Sequence, residues 1–185
     1  MSKVPIIGIT CGDTNGVGTE ILIKTINRII GLDILIIFFG STHLLDFYNK
    51  KNNKSSSFHS ISNISDAKKH TINIFNCLEH SLEIIPGKGT KQSGHAAHQS
   101  LNIATTCALN RQIDILITMP LSKSTVKQPF IGHTEYLSDK CGVEQNLMFL
   151  VTAKLKLAIL TNHIPIQAIS SKITLKNIYD KLEIL

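Results

Sequence analysis

The chain has 185 residues, 43% hydrophobic and 17% charged, which excludes a disordered chain and predicts a folded protein with a sizeable core. Its formal charge of +6 comes from scattered lysines, and arginine occurs only as Arg28 and Arg111, so no nucleic-acid partner is expected. No apolar run reaches the roughly 20 residues that span a bilayer, and residues 1–5 show no signal-peptide pattern, so no membrane partner and a cytoplasmic location are expected.

The first predicted element is a strand from Val4 to Thr10, apolar on both faces as in a buried parallel sheet. A glycine loop follows, Gly12-Asp13-Thr14-Asn15-Gly16-Val17-Gly18. It opens a helix whose expected inward stripe is Val17, Ile21, Leu22, Thr25, Ile26, Ile29 and Ile30, stopped at Gly31. Residues Ile34 to Phe39 form a second buried strand and complete a βαβ unit, for which a right-handed crossover is expected. A short helix over 41–50 leads to the polar loop Lys50 to Ser57, a solvated insertion. Weaker strands are expected over Phe58 to Asn63 and Thr71 to Cys77. The loop at Pro86 to Thr90 leads to a helix from Ala96 to Asn110. A third buried strand is predicted from Ile113 to Met119. Two more strands follow, Leu147 to Val151 and Leu155 to Leu160. Thr174 caps a final amphipathic helix with Leu175, Ile178, Leu182 and Leu185 on one side. Alternating strands and helices predict an α/β, doubly wound sheet. The last stripe has no later element to pack on, so the sheet is expected to be cut short.

Four places carry candidate chemistry. The glycine loop sits between strand and helix, where phosphates are often held. Its GxxxGxG order is neither dinucleotide fingerprint nor P-loop, so tight strand-to-helix packing competes with anion binding. Lys123, in Thr118-Met119-Pro120-Leu121-Ser122-Lys123, lies just past a strand's C-terminal end, where open sheets place ligands. It is a candidate for a phosphate or carboxylate, against the commoner solvated surface lysine.

The densest stretch is Ile131-Gly132-His133-Thr134-Glu135-Tyr136. Thr134 and Glu135 fit a helix cap and its first turn. His133 has no such explanation, and an imidazole beside a hydroxyl suits a phosphate monoester. His163, between an apolar run and Pro165, is a candidate metal ligand, but one histidine makes no metal centre. His95 and His98 read as surface groups. His43, His59, His70 and His80 show no pattern. Cys11, Cys77, Cys107 and Cys141 form no Cys-x-x-Cys pair and read as reduced thiols.

Taken in order, these motifs resemble the 4-hydroxythreonine-4-phosphate dehydrogenase family. The matching stretches are Ile7-Gly8-Ile9-Thr10 with Gly12-Asp13, Gly16-Val17-Gly18 and Glu20; Thr118 to Lys123; Gly132-His133-Thr134-Glu135-Tyr136-Leu137; and Thr161-Asn162-His163-Ile164-Pro165. They match the family's N-terminal half. Thr14 and Thr19 replace prolines common in the family, and Met119 replaces a common alanine.

The resemblance implies an isocitrate/isopropylmalate-dehydrogenase-like fold with its C-terminal half missing. Residues 1–127 would form a first, incomplete α/β domain and residues 128–185 the start of a second, interface domain. It implies a homodimer, NAD as hydride acceptor, and a divalent metal such as zinc, magnesium or cobalt. His133 and Thr134 would bind the phosphorylated hydroxy-amino acid, and His163 would be one of three metal histidines. The other two belong to family stretches absent here, so the alternatives are an inactive truncated pseudoenzyme or a phosphate-ligand-binding module without turnover.

Overall fold

A computed structural model of the protein describes residues 3–54, 56–79, 82–127 and 129–185. His80 and Gln128, the residue at which the second predicted domain opens, lie outside the described residues. The chain divides into two compact units, Met1–His133 and Thr134–Leu185.

The first unit is built on five strands: β1 (Ile6–Thr10), β2 (Leu35–Gly40), β3 (Phe58–Ile61), β4 (Ile72–Asn76) and β5 (Ile115–Ile117). Their order is β3-β4-β2-β1-β5, and every neighbouring pair is parallel. Parallel neighbours need crossovers. Three helices supply them: α1 (Gly18–Ile29), α2 (Thr42–Lys51) and α3 (Lys91–Leu109). β3 reaches β4 through a single 3-10 turn, Ile64–Asp66.

The pleat of β2 shows how both faces are filled. Ile36 and Phe38 pack with Ile9, Leu22, Ile26, Leu44 and Tyr48 on the α1 and α2 side. Ile37 and Phe39 pack with Ala104 and Cys107 of α3 on the other. Alternate residues of one strand thus enter two cores, so the run is apolar throughout. Each such side chain contributes about 1.5–3 kcal/mol by leaving water. The expected α/β sheet, helices on both faces, is present.

Three details differ from the sequence reading. Helix α1 buries Gly18, Thr19, Leu22, Ile23 and Ile26. Val17 and Ile21, placed on the inward stripe, are 58% and 44% exposed. The glycine-rich end of α1 packs so tightly that it sets the helix's rotation, and the stripe follows.

Helix α3 starts five residues before Ala96. Thr90 accepts a hydrogen bond from the Ser93 amide (3.0 Å), and Ser93 Oγ accepts one from the Thr90 amide (3.1 Å). This reciprocal cap uses serine where glutamate or glutamine is usual.

The predicted third buried strand is short and half exposed, Ile115 at 50% and Ile117 at 43%. It is an edge of the sheet, paired only with β1 among the described strands, so its outer face lacks cover.

The second unit contains α4 (His133–Cys141), the antiparallel pair β6 (Met148–Val151) and β7 (Lys156–Ile159), a single helical turn α5 (Ile169–Lys172), and α6 (Leu175–Leu182). The N-terminal residue of α4 belongs to the first unit. Thr174 caps α6 as expected, accepting from the Asn177 amide (3.2 Å). No residue from Thr134 to Leu185 is fully buried. Leu175, Tyr179 and Leu182 of α6 are exposed, as are Phe149, Leu150, Val151 and Leu157 of the strand pair. Among the described residues no helix is long and apolar enough to cross a membrane.

Candidate functional site

Strand β1 has β2 on one side and β5 on the other, and the chain reaches these neighbours by connections on opposite faces of the sheet. Ligands of open α/β sheets often bind beyond the carboxyl ends of such strands. Here that crevice is filled by the protein itself. The Asp13 amide donates to the Pro120 carbonyl (2.9 Å), the Met119 amide donates to Thr10 Oγ1 (2.9 Å), and the Gly16 amide turns back to the Asp13 carbonyl. Asn15 ties the loop to residues 85–88: its side chain accepts from the Ile85 amide and donates to the Lys88 carbonyl, both at 2.8 Å.

Gly12 has φ +64°, and an added Cβ would collide with the Pro120 carbonyl. At Gly18 a Cβ would stand 2.8 Å from Met119 Cβ. The glycines therefore serve close packing, and the Asp13, Asn15 and Gly16 amides are already used by protein acceptors. Of the two readings left open, the geometry favours packing over an anion cradle.

His133 stands at the end of the first unit. Its ring lies edge-on to Phe130 (centroids 6.1 Å, 86°), and Phe130 in turn meets His98 of α3 edge-on (6.1 Å, 89°). His98, read as a surface group, is partly buried against this aromatic contact. Burial holds the His133 imidazole below its ordinary range, and the positive charge of Lys123 adds to the effect. His133 is therefore neutral at physiological pH. Its Nε2 is buried with no hydrogen-bond partner among the described residues. A buried ring nitrogen without a partner costs about 1–3 kcal/mol, which an arriving hydrogen-bonding group would recover.

By sequence Thr134 fits either a helix cap or a ligand contact. Helix α4 already begins at His133, so Thr134 lies inside its first turn. In the second unit Thr134 and Glu135 line a polar cavity of about 270 Å³ with Asn146, Met148, Leu160, Asn162, His163 and Lys181. Thr134 and His163, singled out separately in the sequence, thus meet in one cavity. His163 has φ +53°, a left-handed backbone uncommon for a side chain of this size. It follows β7 and precedes Ile164-Pro165, and the proline restricts Ile164 to extended backbone.

Lys181 and Asn146 were not foreseen. Lys181 sits in the last turn of α6, where a lysine is ordinarily accounted for by the helix dipole. Its ammonium donates to the Asn146 carbonyl, and Asn146 Nδ2 donates to Ser138 Oγ at 2.9 Å. Only the turn of α6 toward the β6–β7 pair reveals Lys181 as a cavity residue.

The metal expectation can be tested on donor chemistry. A divalent ion of this kind takes three or four protein ligands. Among the described residues no group of three or more His, Cys, Asp or Glu is placed to hold one. His163 alone does not fit such a centre.

Comparisons with known proteins agree with this architecture. The family profile described as Pyridoxal phosphate biosynthetic protein PdxA matches residues 33–185. The chain is similar to the 4-hydroxythreonine-4-phosphate dehydrogenase of Sulfurihydrogenibium sp., 32% identical over 182 residues, a span covering 97% of this chain and 56% of that protein. It is also 34% identical over 179 residues to an Oceanobacillus iheyensis protein provisionally named a D-threonate 4-phosphate dehydrogenase, covering 91% of this chain and 53% of that one.

Among solved structures, a 4-hydroxythreonine-4-phosphate dehydrogenase from Burkholderia phymatum matches with a TM-score of 0.84 at 28% identity, over 98% of this chain and 57% of that one. The Klebsiella pneumoniae structure of the same name gives 0.84 at 24% identity and shares the fold. The chain spans about half the length of the curated relatives it matches.

Proposed function

The chain belongs to the family of pyridoxal phosphate biosynthetic protein PdxA, and from that premise we propose that it serves the oxidation of 4-phosphooxy-threonine on the route to pyridoxal phosphate. The observation that carries the reading is the shared cavity of Thr134 and His163, with the neutral imidazole of His133, whose Nε2 has no hydrogen-bond partner among the described residues, next to Thr134 in the chain.

In this reading His133 and Thr134 bind the substrate. A neutral imidazole offers one N–H and one acceptor nitrogen, and a threonine hydroxyl donates to a phosphate oxygen without charge. NAD, when bound, would supply the hydride acceptor for the carbon bearing the alcohol, with the hydroxyl proton released to solvent. The resulting β-keto acid would lose its carboxylate as carbon dioxide, the electron pair of the broken carbon–carbon bond passing to an enolate that takes a proton from solvent. The chain's own residues orient the substrate and hold its phosphate. His163 is proposed as one ligand of a divalent metal, but the described residues do not complete that centre, so no step is derived through it.

The apolar residues left exposed on α6 and on the β6–β7 pair support a homodimer, because exposed apolar surface of this kind is often covered at an interface. The similarity to the Oceanobacillus iheyensis protein favours one second reading, in which a hydroxyl replaces the substrate's amino group.

The test is calorimetric binding of 4-phosphooxy-L-threonine and D-threonate 4-phosphate, followed by NADH formation with zinc, magnesium or cobalt added. Thr134→Val is expected to weaken the preferred ligand about tenfold, the value of one hydrogen bond to a charged group. A chain that binds neither compound overturns the reading.

A further inference from the structure

We propose that Lys181 holds the anionic group of the ligand in the Thr134–His163 cavity, as a binding and specificity residue. The inference rests on the functional reading above and deepens it.

The cavity is lined by one ammonium, Lys181, one carboxylate, Glu135, an imidazole, a hydroxyl and two amides. It therefore has both signs of charge and suits a small dipolar molecule. Lys181 is held at the cavity wall, since its ammonium donates to the Asn146 carbonyl. That bond takes one of three N–H groups, and the carbonyl leaves the positive charge uncompensated. Asn146 is itself fixed by Ser138, so the ammonium is set in position before any ligand arrives. A preorganised charge loses less entropy on binding than a free surface lysine. The helix dipole explains a cation in the last turn of α6, but not its placement on Asn146 at the cavity wall.

The anionic group is a phosphate or a carboxylate, and two probes separate them. Inorganic phosphate and L-threonine are titrated into the full chain and followed by amide chemical shifts. Lys181→Gln keeps an N–H donor for the Asn146 carbonyl and removes only the charge. Lys181→Arg keeps the charge. The Gln variant is expected to weaken at least one probe about tenfold, and the Arg variant to stay within a few-fold of the wild type. Loss on phosphate places the phosphate at Lys181; loss on threonine places the carboxylate there.

Unchanged affinity of the Gln variant for both probes, with the wild type binding, overturns the role of Lys181 and leaves the functional reading standing. A wild type that binds neither probe nor 4-phosphooxy-L-threonine overturns both. A second measurement needs no variant. Phosphate at saturation is expected to slow acetylation of Lys181 several-fold, read by mass spectrometry, with Lys154 and Lys176 unaffected. If neither phosphate nor L-threonine protects Lys181, the proposal is overturned.

Discussion

Removing the hydroxyl of Ser100 is expected to loosen the end of the sheet that carries the crevice. Ser100 is on α3 and fully buried. The Cys11 amide, just beyond β1, donates to Ser100 Oγ at 3.0 Å. The same hydroxyl donates to the Phe39 carbonyl of β2 at 2.6 Å. One side chain thus joins two neighbouring strands to the helix above them. In Ser100→Ala the Cys11 amide is left buried without that acceptor, a loss of about 1–3 kcal/mol. The Phe39 carbonyl loses a neutral hydrogen bond, about 0.5–1.5 kcal/mol. The void is one oxygen atom and adds little. The sum is about 1.5–4.5 kcal/mol, which for a chain of this size lowers Tm by roughly 3–18 °C. Urea unfolding followed by far-UV circular dichroism measures the difference. A loss below about 0.5 kcal/mol would refute the bridging role, because it would mean both backbone groups find other partners at no cost.

Thr14 and Thr19 are fully buried, and their hydroxyls have no hydrogen-bond partner among the described residues. Valine at each position keeps the shape and removes the stranded polar atom, so each substitution is expected to stabilise by up to about 1 kcal/mol; a loss above about 1 kcal/mol in both would show that the hydroxyls are satisfied. His133 is expected to make the fold sensitive to acid. Its folded value lies below the ordinary imidazole value, so as pH falls below about 6.5 the unfolded chain takes up a proton that the folded chain refuses. Stability contributed by His133 is level above that pH and falls below it, by at most about 1.4 kcal/mol per pH unit. Urea midpoints from about pH 8 to pH 5 are expected to slope less in His133→Gln than in the wild type, and equal slopes would refute the burial argument.

Much of the fold was legible in the sequence because periodicity and caps act locally. The continuous apolar runs around β1 and β2 belong to strands buried on both faces, and these strands lie where the runs do. Thr174 announced the start of α6 through its own hydroxyl. His133 stood out because a helix cap accounts for its neighbours but not for it, and the family resemblance singled out Thr134 and His163. The cavity they share has formed around them.

What the sequence could not carry is what covers each surface. A periodic stripe says that a helix has an apolar side, but the rotation of α1 depends on how closely Gly18 approaches Met119, a residue about a hundred positions away. The run at Ile115 to Ile117 looks like a buried strand, and becomes a half-exposed edge because no further described strand lies beyond it. Ser100 reads as an ordinary helix residue, and Lys181 as an ordinary cation near a helix end. Each acquires its role only where the chain returns to place the Cys11 amide or the Asn146 carbonyl within reach. Local order follows from neighbours along the chain, whereas burial, partners and a site follow from neighbours in space, and only folding brings those together.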